Sequence, residues 1–162
     1  MHSLSVLFYD QSHTKPGRLI RWLGKQQYTH VAVQIGPAVA HTPLNKAPRW
    51  CRRDSIDKLE GRPCLELSLG DVDVNLTEVY DVLHEACPHP VTIRSVLLAH
   101  FTPWRTPVGC VTIAVDLLRY CGFNISRSIY KPDTLLECLN DNVTLYNPDL
   151  SAIHRGFSDQ SV

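Results

Sequence analysis

One cysteine and two histidines are the residues whose types and spacing indicate chemistry. Cys110 follows Gly109 and opens a long apolar segment, whereas His30 and His41 bracket a run rich in valine and alanine. A cysteine thiolate is a strong nucleophile, and imidazole is the side chain that most often takes up a proton near neutral pH. This combination indicates acyl transfer through a thioester, with Cys110, His30 and His41 as the candidate site.

The histidines are predicted to meet on a β-hairpin. Residues 30–35 and 38–41 read as two strands around Gly36-Pro37, since glycine supplies the positive φ at the first central position of a type II′ turn. In that register Ala32 lies opposite His41, and His30 becomes its diagonal neighbour on the same face. The two imidazoles are then within reach of a shared hydrogen bond. The alternative is that each histidine bonds only to backbone.

The cysteine is predicted to lie at a helix start, with Thr106 as N-cap and Pro107 in the first helical position. Cys110 then falls in the first turn, where the helix dipole and unpaired N–H groups favour a thiolate and can receive an oxyanion. The alternative is a buried structural thiol. The other five cysteines fit a structural role, with Cys51 and Cys87 in loops where exposure is open.

The remaining pattern predicts an α+β fold, in which a small antiparallel sheet of at least four strands packs against the buried helix that carries the cysteine. Further strands are expected over 4–9 and 64–69, with a last one over 143–146, and residues 43–53 are expected to be irregular. Helices are expected from Pro16, over 75–86 and 92–101, and from Pro132. We expect one domain over 1–148 and a polar tail over 149–162.

Composition narrows the classes of function. Sixteen basic and sixteen acidic residues cancel, which argues against nucleic acid as the partner. The sequence has no apolar run of the roughly 20 residues needed to span a bilayer and no export signal, so we expect a cytoplasmic protein with mostly reduced cysteines. A zinc site at His84, Cys87 and His89 is a weaker alternative, because it lacks a fourth ligand. The oligomeric state is not indicated.

Short blocks of the sequence resemble the permuted NlpC/P60 papain-like enzymes, which include the YiiX-like and lecithin:retinol acyltransferase-like branches. The blocks are Arg18-Leu19-Ile20-Arg21-Trp22-Leu23, Tyr28-Thr29-His30-Val31-Ala32-Val33-Gln34-Ile35-Gly36 with the later Gly109-Cys110-Val111-Thr112, and Tyr130-Lys131-Pro132-Asp133-Thr134-Leu135-Leu136. The first and last are similar to segments of bacterial and phage-type members. The resemblance implies a papain-like fold in which the histidine strand precedes the cysteine helix.

The same resemblance implies the roles: Cys110 as nucleophile, His30 as general base and His41 as the residue that orients His30. The expected activity is a cysteine peptidase or amidase that cleaves a peptide or isopeptide-like bond without metal or cofactor. One alternative is an acyltransferase or thioesterase on lipid or acyl donors, although Val111-Thr112 replaces the Glu-His of the lecithin:retinol acyltransferase-like branch. Another is a non-catalytic phage accessory or virion protein, located in the host cytoplasm or the virion.

Overall fold

The computed structural model describes residues 1–86, 90–96 and 109–142. Residues 93–96 are helical. Residues 97–108 and 143–162 are outside the described part of the chain. The expected strand over 143–146 and the expected tail over 149–162 therefore lie outside it. The bounded elements follow in the order β1 (His2–Tyr9), α1 (Lys15–Gly24), β2 (His30–Ile35), β3 (Ala38–His41), β4 (Arg49–Arg52), α2 (Arg53–Glu60), β5 (Leu65–Val72), α3 (Leu76–Ala86), α4 (Cys110–Tyr120) and α5 (Pro132–Asn142).

The strands form one five-stranded sheet in the order β4-β3-β2-β1-β5. Every neighbouring pair is antiparallel. The α+β class and the antiparallel sheet of at least four strands are therefore confirmed. No helix in the described part of the chain is long and apolar enough to cross a bilayer.

The β2–β3 hairpin has the predicted register. Ile35 pairs with Ala38 and Val33 with Ala40, and Gly36 in the turn has a φ of 56°. A residue with a Cβ rarely adopts that conformation, which explains the glycine in the turn. The hairpin prediction is confirmed.

The two faces of the sheet pack against different helices. On one face Val31, Val33 and Ile35 belong to the main core, which also contains the apolar side of α4. On the other face Ala32 belongs to a smaller cluster around Ile56 of α2. Because side chains alternate along a strand, His30 points to the α2 side while α4 packs on the opposite side.

The expectation of an irregular segment over residues 43–53 is wrong for its second half. That half contains β4 and the start of α2, and β4 pairs with β3 through Val39–Cys51 and Ala40–Trp50. Arginines at both ends of this short run obscured the strand pattern. Charged residues are tolerated there because β4 is an edge strand with one unpaired side.

The predicted start of the cysteine helix is also wrong. Gly109 is the N-cap, with extended φ and ψ of −157° and 178° and no side-chain capping bond, and α4 begins at Cys110. An extended residue interrupts a helix, so α4 does not continue back to Pro107. Thr106 and Pro107 themselves lie outside the described residues. Cys110 nevertheless occupies the first turn, as expected.

Asp133, at the start of α5, joins that helix to the segment that leads into β2. Its carboxylate accepts hydrogen bonds from the backbone N–H groups of Gln27, at 2.6 Å, and Tyr28, at 3.0 Å. Tyr28 is buried, so its amide has few alternative partners. This one side chain therefore helps to fix the position of the strand that begins at His30.

We expect Asp133→Ala to lower the free energy of unfolding by about 1–3 kcal/mol, because it removes two charge-assisted hydrogen bonds and leaves a buried amide without a partner. Urea denaturation followed by circular dichroism measures the change. Glu137→Ala is the matched control, since it removes an exposed acidic side chain from the same helix. An equal effect of the two substitutions would contradict the joining role of Asp133.

Candidate active site

Cys110 and His30 line the same pocket, which lies where β2 begins and has a volume of about 240 Å³. Glu60, at the end of α2, lines it as well. The other described residues of the wall are polar ones, Gln11, Thr14, Thr29 and Thr42, and apolar or small ones, Pro16, Gly17, Ile20, Pro43, Leu44, Val91 and Val96. The pocket thus combines a thiol, an imidazole and a carboxylate with a mainly apolar wall.

The Cys110 sulfur lies among backbone amides. The N–H groups of Val31, Val111 and Cys110 itself act on the sulfur and favour its charged form, but burial is the larger effect and raises the thiol pKa. Glu60 raises that pKa further through its negative charge. The N–H groups at the helix start therefore favour the thiolate, as expected, but they do not set the resting state of the free protein. The resting group is a thiol, because desolvation outweighs the helix N–H groups.

His30 is buried between two other rings. The Tyr9 ring centroid lies 5.7 Å from the His30 ring centroid. The His41 ring centroid lies 5.5 Å from it, and the planes of the two imidazole rings meet edge to face at 88°. Burial lowers the pKa of His30 to about 4; His41 lowers it too, and the carboxylate of Glu60 acts in the opposite direction. The imidazole is consequently neutral at pH 7 and able to accept a proton.

Glu60 connects to His30 through His41. The His41 Nε2 atom lies 2.9 Å from Glu60 Oε1, and His41 is almost fully buried. This hydrogen bond is the main reason why the Glu60 pKa is lowered, and the bond that the Gln11 amide donates to Glu60 Oε2 contributes to the same shift. Glu60 is therefore a carboxylate at neutral pH, and it orients the His41 ring with Nε2–H toward itself.

The structure brings His30 and His41 together, but not through the expected hydrogen bond. His30 Nε2 and His41 Nδ1 are both buried, and neither has a hydrogen-bond partner among the described residues. The Cys110 sulfur is therefore not bonded to either atom. An edge contact between the rings replaces the bond. Cys110 and His30 thus share a pocket wall without a direct bond from Nε2 in the free protein.

Glu60 and Gln11 are the site residues that sequence reasoning missed. Gln11 donates its backbone N–H to Thr29 Oγ1 at 2.8 Å, which places its side chain beside Glu60. Arg53 and Asp57 form an i,i+4 ion pair around the apolar Ile56, and that pattern indicates a helix ending near Glu60. The helix was thus detectable, but its contact with His41 depends on tertiary packing.

Two of the three residues of the alternative zinc site are outside the described part of the chain. Cys87 and His89 lie outside the described residues, and the ring of His84 contacts the ring of Tyr80, with centroids 4.7 Å apart. Cys51, Cys64 and Cys121, like Cys110, carry free thiols.

The neutral His30 makes stability depend on pH. Between pH 6.5 and about 4 the unfolded chain binds a proton at this residue and the folded chain does not. Stability therefore falls as the pH falls through this window, by up to roughly 3 kcal/mol for this residue alone. We expect His30→Asn to flatten the curve of unfolding free energy against pH over that range, as measured by urea denaturation. His13→Asn, at an exposed histidine, should keep the wild-type slope, and a wild-type slope in His30→Asn would contradict the assignment.

No family model matches this chain, and no curated protein or solved structure is significantly similar to it.

Proposed function

We propose that this protein is a cysteine hydrolase that cleaves an amide bond, of peptide or isopeptide type, through a thioester on Cys110. The observation that carries the proposal is that Cys110 and His30, distant in sequence, line one pocket together with Glu60. A nucleophile, a proton acceptor and an orienting group on a shared wall is the arrangement that covalent acyl transfer needs. We further propose that the fold is a permuted papain-like one, supported by the order of histidine strand before cysteine helix.

The first step is attack by a thiol that loses its proton as it reacts. Cys110 is protonated at rest and His30 is neutral, so the thiol proton passes to His30 while sulfur bonds to the carbonyl carbon. The carbonyl electron pair moves to oxygen. Catalytic hydrogen bonds are often long in free enzymes and shorten in the substrate complex, so the absent bond at His30 Nε2 is compatible with this role.

The later steps return both residues to their starting states. Protonated His30 gives its proton to the departing amine as the C–N bond breaks, leaving the acyl group on sulfur. Water then attacks the thioester with His30 as base, releasing a carboxylic acid and the thiol. We assign the tetrahedral oxyanion to the N–H groups of Cys110 and Val111, because these groups already favour negative charge on the neighbouring sulfur.

Glu60 and His41 serve as positioning residues. When His30 takes up a proton, the nearby carboxylate of Glu60 stabilises the cation, since it already raises the His30 pKa. His41 is held by Glu60, and its buried Nδ1 has no hydrogen-bond partner in the part of the chain that the structure describes.

One observation favours the acyltransferase or thioesterase alternative. The pocket wall contains six larger apolar side chains, Pro16, Ile20, Pro43, Leu44, Val91 and Val96, which suit an aliphatic acyl group. A parallel screen of peptide amides and lipid esters separates the two activities. Turnover of neither class, with no acylation of Cys110, would leave the binding-protein alternative.

We expect p-nitrophenyl acetate to acetylate Cys110 and the adduct to be seen by intact-protein and peptide mass spectrometry. Cys110→Ala should remove the adduct. Cys64→Ala is the matched control, because Cys64 is an exposed thiol outside the pocket and its loss should leave the Cys110 adduct unchanged. Acetylation confined to Cys64 would refute the proposed nucleophile.

With an amide substrate found in that screen, we expect His30→Asn to lower kcat by about 10²- to 10⁴-fold, the usual contribution of a general base. Glu60→Gln should lower kcat less, by roughly tenfold, because the loss of its charge is equivalent to about one pKa unit of stabilisation of the His30 cation. His13→Asn is the control. Steady-state kinetics over a pH series measures these effects, and equal, small losses in all three variants would exclude His30 as the base.

A further inference from the structure

Helix α1 exposes a face that combines positive charge with large apolar side chains. Lys15, Arg18, Leu19 and Trp22 follow at i, i+3, i+4 and i+7, and therefore lie on one side of the helix, here called the α1 outer face. All four are exposed. Trp22 is 74% exposed and Leu19 is 39% exposed, so a tryptophan and a leucine project into solvent next to two cations.

The charge of this helix is entirely positive. Its sequence, Lys-Pro-Gly-Arg-Leu-Ile-Arg-Trp-Leu-Gly, contains no acidic residue. Arg21 is paired with Asp10 at 2.6 Å, whereas Lys15 and Arg18 have no ion pair with any described residue. The α1 outer face is thus a local cationic patch on a chain whose net charge is zero.

The orientation of the helix is fixed by its inner side. A Cβ at Gly17 would lie 2.0 Å from the carbonyl oxygen of Gln11, so the backbone packs directly on the preceding loop. Thr14 caps the helix by accepting a hydrogen bond from the Gly17 N–H at 3.0 Å. Because Pro16 and Ile20 line the pocket from this inner side, the outer face is held pointing away from it.

We propose that the α1 outer face binds the surface of an anionic lipid bilayer, with Trp22 and Leu19 inserted at the level of the headgroups. Charge complementarity supports this partner, because the neighbouring cations Lys15 and Arg18 are attracted by the negative surface potential of anionic lipids. The exposed tryptophan and leucine distinguish a bilayer from nucleic acid, because they gain by entering the apolar boundary while lysine and arginine stay at the phosphates. The proposal goes beyond the activity of Cys110 and is independent of it.

Membrane binding of this kind places the pocket beside the bilayer, because the opposite side of the same helix forms part of the pocket wall. The attraction is electrostatic in part and should weaken as ionic strength rises.

Cosedimentation with vesicles of equal parts phosphatidylcholine and phosphatidylserine tests the proposal. We expect the full chain to bind these vesicles, to bind pure phosphatidylcholine much less, and to show a blue shift of tryptophan emission on binding. Arg18→Gln/Trp22→Ala should lower partitioning by more than about tenfold, since one cation near the surface contributes about fivefold and an inserted aromatic side chain contributes more. Trp22→Ala alone should abolish the blue shift.

Lys58→Gln/Leu59→Ala is the matched control, because it also removes one exposed cation and one exposed apolar side chain from a helix, here α2. It should bind as the wild type does, and so should Cys110→Ala, which separates this proposal from the hydrolase. Circular dichroism checks that each variant folds. No binding of the wild type to anionic vesicles, equal loss in the α2 control, or displacement by duplex DNA at equal phosphate concentration would overturn the proposal.

Discussion

A neutral imidazole buried where β2 begins is the constraint on which the candidate site depends. Burial of His30 lowers its pKa to about 4, so the folded protein holds this ring uncharged throughout the neutral range. Its Nε2 atom has no partner among the described residues, which costs about 1–3 kcal/mol for a buried polar group. Groups left in that condition commonly mark function, because the missing partner is supplied by a ligand or by the reaction.

The end of a strand is what lets the two sides of the sheet contribute to one pocket. The side chain of His30 points to the α2 side, where His41 and Glu60 lie, whereas α4 packs on the opposite side of the same strand. In the middle of the sheet, the strands themselves separate the α2 side from the α4 side. His30 is the first residue of β2 and Cys110 is the first residue of α4. Both therefore lie at the end of the strand, where the sheet no longer separates its two sides.

The electrostatic balance of the pocket favours activation during attack over a preformed ion pair. Burial raises the pKa of the thiol and lowers that of the imidazole, so both groups are neutral, while Glu60 remains charged. A negative charge beside the pocket opposes a resting thiolate but stabilises an imidazolium. The same carboxylate therefore lowers the fraction of Cys110 that is thiolate at rest and assists the proton transfer proposed for His30.

The sequence by itself determined the elements whose causes are local. Alternating apolar residues and the glycine of the Gly36-Pro37 turn predicted the hairpin register, and Asn75 with Glu78 predicted the start of α3, where the Asn75 side chain accepts the Thr77 N–H at 3.0 Å. The tertiary structure alone decided the start of α4, the strand β4, the approach of Glu60 to His41 and the protonation states. Those features depend on contacts between distant segments and on burial, which no local pattern encodes: the helix N–H groups predict a thiolate at Cys110, and desolvation by the packed core reverses it.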